Sequence, residues 1–62
     1  MQKIKRIDFI TIDEENKDLY KKINFWIENS LKTNEYVAYI TYFKDQSDIR
    51  PTSAYLHITE RI

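Results

Sequence analysis

The chain has 62 residues, with ten Lys and Arg against ten Asp and Glu, one His, one Pro, and neither Cys nor Gly. Without Cys there are no disulfides, Cys-type zinc sites or thiol catalysis; without Gly there are no phosphate loops, dinucleotide fingerprints or EF-hand loops, which need backbone that only glycine supplies readily. The zero net charge argues against a general nucleic-acid binder, which normally carries a basic excess, and the length allows one small domain, 1–62.

Residues 3–12 (KIKRIDFITI) read as a strand, being β-branched and aromatic with no breaker. Ile7 and Phe9 point one way, Ile4, Ile10 and Ile12 the other. Apolar groups on both faces predict an inner strand or one covered on both sides. Ile4 is followed by Lys5, Arg6 and Asp8, so the start lacks the apolar run of a signal peptide, and no stretch approaches transmembrane length. A cytoplasmic location with no membrane partner is expected.

Residues 13–18 (DEENKD) form an acidic helix entrance. Asp13 or Asn16 is placed to cap the first free N–H groups, with Glu14, Glu15 and Asp18 complementing the helix dipole. The helix then runs to about residue 32, because Leu19, Ile23, Trp26, Ile27 and Leu31 recur at the spacing of one helical stripe. Phe25 is the only large apolar residue on the opposite, polar arc. Asn34 is expected to end the following turn in the left-handed region.

Residues 35–44 (EYVAYITYFK) form a second strand that is apolar at both parities: Val37, Tyr39 and Phe43 on one face, Tyr36, Ala38, Ile40 and Tyr42 on the other. A polar connection broken by Pro51 follows. Residues 53–60 (SAYLHITE) alternate cleanly, Ala54, Leu56 and Ile58 against Tyr55, His57 and Thr59. The order β-α-β-β predicts an α+β fold, with one amphipathic helix on one face of a three-stranded sheet. A right-handed crossover with parallel pairing is expected between the first two strands, and an antiparallel hairpin between the last two.

One helix covers one face of a sheet. The other face carries Tyr55 and His57, joined by Tyr39 or Tyr42, and such an apolar patch on a small protein usually marks an interface. A chain this short buries only about 60% of the surface its unfolded form exposes, and without disulfides or a metal set it must find stability elsewhere. A homo-oligomer assembled through Tyr39, Tyr42 and the uncovered face is therefore expected, with Phe25 a second contact residue.

Local chemistry is sparse. His57 has no nucleophile or second acid assigned to it, so packing or an interface hydrogen bond is a better reading than catalysis. Asp45, Ser47 and Asp48 resemble a cation loop only faintly. Arg50, Thr52 and Ser53 around Pro51 bring a cation and hydroxyls together, and with Tyr55 and His57 they form the candidate site for a small anionic ligand or a partner surface. Lys3, Lys5 and Arg6, with Lys17, Lys21 and Lys22, leave a competing possibility: a Tyr-rich face with basic rims that stacks single-stranded nucleic acid. No cofactor, no metal and no catalytic residue is implied.

The stretch ENKDLYKKINFWI, with YITYFKD and TSAYLHITE further on, resembles small sporulation-associated proteins of spore-forming Gram-positive bacteria, a family also carried by phages. The resemblance implies a β-α-β-β non-enzyme with no catalytic residues to carry over. With the uncovered face it leads to the expectation of a small non-catalytic binding protein, acting as a homo-oligomer, that blocks a host factor or sequesters a small anionic, nucleotide-like ligand.

Overall fold

The computed structural model describes residues 3–61. Its elements are β1 (Arg6–Thr11), α1 (Leu19–Ser30), β2 (Glu35–Phe43) and β3 (Ser53–Glu60), an α+β arrangement with a single helix packed on a three-stranded sheet. The helix stripe supplies Leu19 and Ile23 to a core completed by Ile10, Ala54, Leu56 and Ile58. Trp26, Ile27, Leu31, Val37 and Ile40 pack around it. Among the described residues only Leu56 and Ile58 are large side chains with essentially no exposure, so the core is small.

The sheet order is β1-β3-β2, antiparallel throughout. The hairpin between β2 and β3 is as expected. The parallel pairing of β1 with β2 is not: both run antiparallel to β3, which lies between them. The crossover therefore sets two strands in the same direction but leaves a gap that the last strand fills. That placement corrects the reading of β1 as an inner strand. It is an edge, and β3, with its clean alternation, is the centre.

Two local features explain what the sequence pattern left ambiguous. The first is the helix start. Asp18, not Asp13 or Asn16, is the N-cap, its side chain accepting from Lys21 N. Asp13 and Asn16 build the preceding turn instead, Asn16 N donating to Asp13 Oδ1 at 2.7 Å and Asp18 N to Asn16 Oδ1 at 3.1 Å. The first helical turn thus holds no acidic residue. At the other end, Leu31 caps in an extended conformation, and among the described residues none has positive φ, so Asn34 does not take the left-handed geometry.

The second is a register shift between Val37 and Tyr39. Val37 pairs with Ile58, and Ile40 with Leu56, yet Tyr39 between them pairs with His57. An extra residue in a strand changes which face the following side chains occupy, and this is why β2 is apolar at both parities. Val37, Ile40 and Tyr42 share the helix side; Tyr39, Thr41 and Phe43 share the open side. No helix among the described residues is long and apolar enough to cross a membrane.

Candidate functional site

The uncovered face of the sheet is built from three strands in register. Ile7 of β1, His57 of β3 and Tyr39 of β2 form one row; Phe9, Tyr55 and Thr41 the next; Thr11, Ser53 and Phe43 the third. The rings touch one another across the strands. Tyr39 stacks on His57 with centroids 4.1 Å apart and planes 17° from parallel. Phe9 lies 5.0 Å from Tyr55, and Phe43 meets Tyr55 edge-on at 5.3 Å. Cross-strand aromatic pairs of this kind stabilise a sheet and stiffen its surface. Ile7, Thr41, Phe43, Tyr55 and His57 line a shallow depression of about 490 Å³ in this face.

Two polar pairs bond within the patch. Thr41 Oγ1 and His57 Nε2 are 3.0 Å apart, and the hydroxyls of Thr11 and Ser53 are 2.9 Å apart. Between these pairs the face offers mainly rings and aliphatic side chains outward.

The side of β1 beneath the helix is the reverse. Arg6 and Asp8 occupy it, with Ile10, while Ile7 and Phe9 are turned outward and remain 53% and 54% exposed. Arg6 Nε and Asp8 Oδ2 are buried with no hydrogen-bond partner among the described residues, although Asp8 Oδ2 lies 3.4 Å from Arg6 Nη1. The patterning of this strand is inverted with respect to its single helical cover.

An ion-pair cluster closes the end of the sheet where β1 starts and β2 begins. Glu35, whose side chain is 1% exposed, accepts from Arg6 Nη2 at 2.9 Å and from Lys32 N at 3.0 Å, and lies 3.4 Å from Lys5 Nζ. Lys5 Nζ also donates to Glu60 at 3.1 Å. The Lys32 N–H and the two cations hold the Glu35 carboxyl below its ordinary value against the opposing effect of desolvation. The Glu60 carboxylate, and Glu35 behind it, raise Lys5. Arg6 further stacks over Trp26 at 5.5 Å, so one guanidinium ties β1 to the helix and to β2. Lys22 acts similarly at the other end, donating to Thr11 O at 2.6 Å and to Asp13 Oδ2 at 3.0 Å.

The residues singled out from sequence are divided by this geometry. Ser53, Tyr55, His57 and Tyr39 share the open face. Tyr42 does not: it pairs with Ala54 on the helix side and meets Tyr20 at 6.0 Å. Thr52 is buried, its backbone N–H donating to Phe43 O and its carbonyl accepting from Ile12 N. Arg50 sits with Pro51 beside the N-terminal end of α1, lining a cleft with Lys17 and Lys21, and is not brought to Tyr55 and His57. Phe25, on the helix exterior, is 69% exposed and borders a groove with Phe9 and Trp26.

Sequence reasoning missed Ile7, Phe9 and Phe43 as members of the open face. The signal for the first two was present in the alternation of Arg6 and Asp8 with Ile7 and Phe9, once the helix-facing parity was known from Ile10. Asp45 and Asp48 make a turn, Asp48 N donating to Asp45 O at 3.0 Å. Among the described residues no three His, Cys, Asp or Glu groups are placed to hold a metal ion. No protein-family model, curated protein or solved structure matches this chain.

Proposed function

We propose that the chain is a small non-catalytic binding protein that works as a homo-oligomer, with the open sheet face as its assembly surface and a second copy as the occupant. The observation that carries this reading is the inversion of β1: Ile7 and Phe9 face out while Arg6 and Asp8 lie beneath the helix. A one-residue slip would exchange the two sets, so a strand meant to face water on that side has an obvious alternative that this sequence does not use.

Size and charge support a second copy. The Cα envelope measures 41 × 24 × 12 Å, a slab whose broad side is large enough for the roughly 800 Å² per partner of an ordinary stable interface. A net charge of zero means two copies approach without long-range repulsion. Assembly through this face leaves Phe25 and Arg50 outside, where a binding partner has to meet them.

The test is a charge placed on the patch. Ile7→Lys is expected to raise the dissociation constant of the assembly by about thirtyfold or more, the scale of a hot-spot residue, while the circular dichroism spectrum stays that of the wild type. An unchanged dissociation constant contradicts the reading.

The ring row Phe9, Tyr55 and Phe43 favours one second reading, a platform for single-stranded nucleic acid. Against it, several of the nearby cations are engaged: Lys5 and Arg6 with Glu35, Lys22 with Asp13, and Arg61 over Tyr36. Fluorescence anisotropy with a labelled oligothymidine separates the two, since phosphate contacts give a steep salt dependence and an assembly surface gives no oligonucleotide binding.

A further inference from the structure

We propose that His57 makes the assembly pH-sensitive: with a neutral imidazole the open faces of two copies close on each other, and a protonated one holds them apart. The inference rests on the assembly reading above and concerns the regulation of that same surface.

His57 is on the central strand, between Ile7 on one side and Tyr39 on the other, and it lines the depression in the middle of the apolar patch. It is the only histidine in the chain. A two-fold interface uses the same patch on both subunits, so one assembly buries two copies of this ring.

The neighbours offer no counter-charge. Facing His57 from β1 is Ile7. From β2 come Tyr39, stacked on the ring, and Thr41, bonded to Nε2 at 3.0 Å. Along β3 the same face holds Tyr55 and Thr59. The nearest cation on β1, Lys5, is turned to Glu60 and Glu35, and the helix with its charges lies across the sheet. No carboxylate stands in the rows of this face that flank His57, and toward its end Arg61 lies over Tyr36.

In the separate chain a protonated imidazole keeps water on its exposed side and the face of Tyr39 on the other, a favourable place for a cation. Closing a second copy over it removes the water and supplies no carboxylate, and burying an unpaired charge is costly. The separate chain therefore binds more protons than the assembly, and linkage shifts the equilibrium toward separation as pH falls. Two rings per dimer that take up protons only in the separate chain raise the dissociation constant on the order of a hundredfold between pH 8 and pH 5.5.

Sedimentation equilibrium at both pH values, with circular dichroism to verify the fold, tests this on the wild type, His57→Phe and His57→Gln. The expected result is a dimer at the higher pH whose dissociation constant rises about a hundredfold at the lower one in the wild type, and by less than about threefold in His57→Phe, which keeps the stack on Tyr39 without a titrating group. A wild type equally tight at both pH values overturns the pH gate and leaves the assembly standing. So does a His57→Phe or His57→Gln chain that weakens with acid as the wild type does, or a His57→Phe chain that fails to assemble at the higher pH. A wild type that is monomeric at the higher pH overturns the assembly reading and the gate with it.

Discussion

Arg6 and Glu35, 29 positions apart in the chain, meet at 2.9 Å, and their contact joins the start of the first strand to the start of the second. The Glu35 side chain is almost fully enclosed, and it takes a backbone N–H from Lys32 as well. One carboxylate thus closes the turn after the helix and locks two edge strands that do not touch each other. Removing one partner of an enclosed pair leaves the other charge uncompensated. Glu35→Gln is expected to lower the Tm clearly more than Glu60→Gln, whose carboxylate is half exposed. Equal shifts in differential scanning fluorimetry would show that Glu35 carries no special role.

The same cluster sets the acid limit of the fold. Glu35 is held below its ordinary 4.5, first by the Lys32 N–H and then by Lys5 and Arg6. Asp13 is held below its ordinary 3.8, first by Lys22 and then by the Asn16 N–H. Both carboxylates have lower values folded than unfolded. Their contribution is fully present above the unfolded values and is lost as pH falls through the folded ones. Lys5 has the opposite sign: raised above 10.5 by Glu60, its contribution is present below that value and is lost as pH rises through the folded one. Tm against pH should decline below about pH 4.5 and above about pH 10.5, beyond the change that dissociation of the proposed assembly brings between pH 8 and pH 5.5. Glu35→Gln should reduce the acid-side decline.

Leu56 sits at the centre of the middle strand with no exposure. Leu56→Ala is expected to destabilise by about 2–5 kcal/mol, the range for a core leucine cut to alanine. In a core with so few enclosed side chains that is a large share of the total. Urea titration checks it, and a loss below about 1 kcal/mol would mean the site collapses freely or the core lies elsewhere.

Asp18 is the residue that starts the helix, accepting from Lys21 N at 3.2 Å. Asp18→Ala is expected to cost about 1 kcal/mol, as loss of an N-cap does, and the loss should exceed that from Glu14→Ala, which lies before the helix. Chemical denaturation of both variants settles the order.

Phe25 tests whether the proposed assembly uses the sheet or the helix. It is the most exposed large aromatic residue on the helix and lies off the open face. Phe25→Ala should leave both Tm and the oligomeric state as in the wild type. A drop in oligomer size would place the helix exterior, not the sheet, in the assembly.

Much of this architecture is legible in the residues. The stripe from Leu19 to Leu31 gives the helix, and the alternation of Ala54, Leu56 and Ile58 gives the core face of β3 without ambiguity. The strand order is harder, because a crossover fixes the direction of β1 and β2 but not whether a later strand enters between them. The face of Tyr42 could not be read, since the irregularity between Val37 and Tyr39 shifts parity partway along β2 and leaves no sequence mark such as glycine. Asp13 and Asn16 are as good caps as Asp18 by residue type; the choice depends on Lys22 reaching back to Asp13 and Thr11 O. Arg50 is near Ser53 in sequence, but the cleft it lines is on the helix side.

The open sheet face is the proposed contact between copies. Sedimentation equilibrium of the wild type at neutral pH, across about 1–100 µM and at two salt concentrations, measures this most directly. A dimer or larger assembly whose association is insensitive to salt, as burial of Ile7, Phe9, Tyr39 and Phe43 requires, is the predicted result. A chain that sediments as a single 7.6 kDa species throughout that range would contradict it.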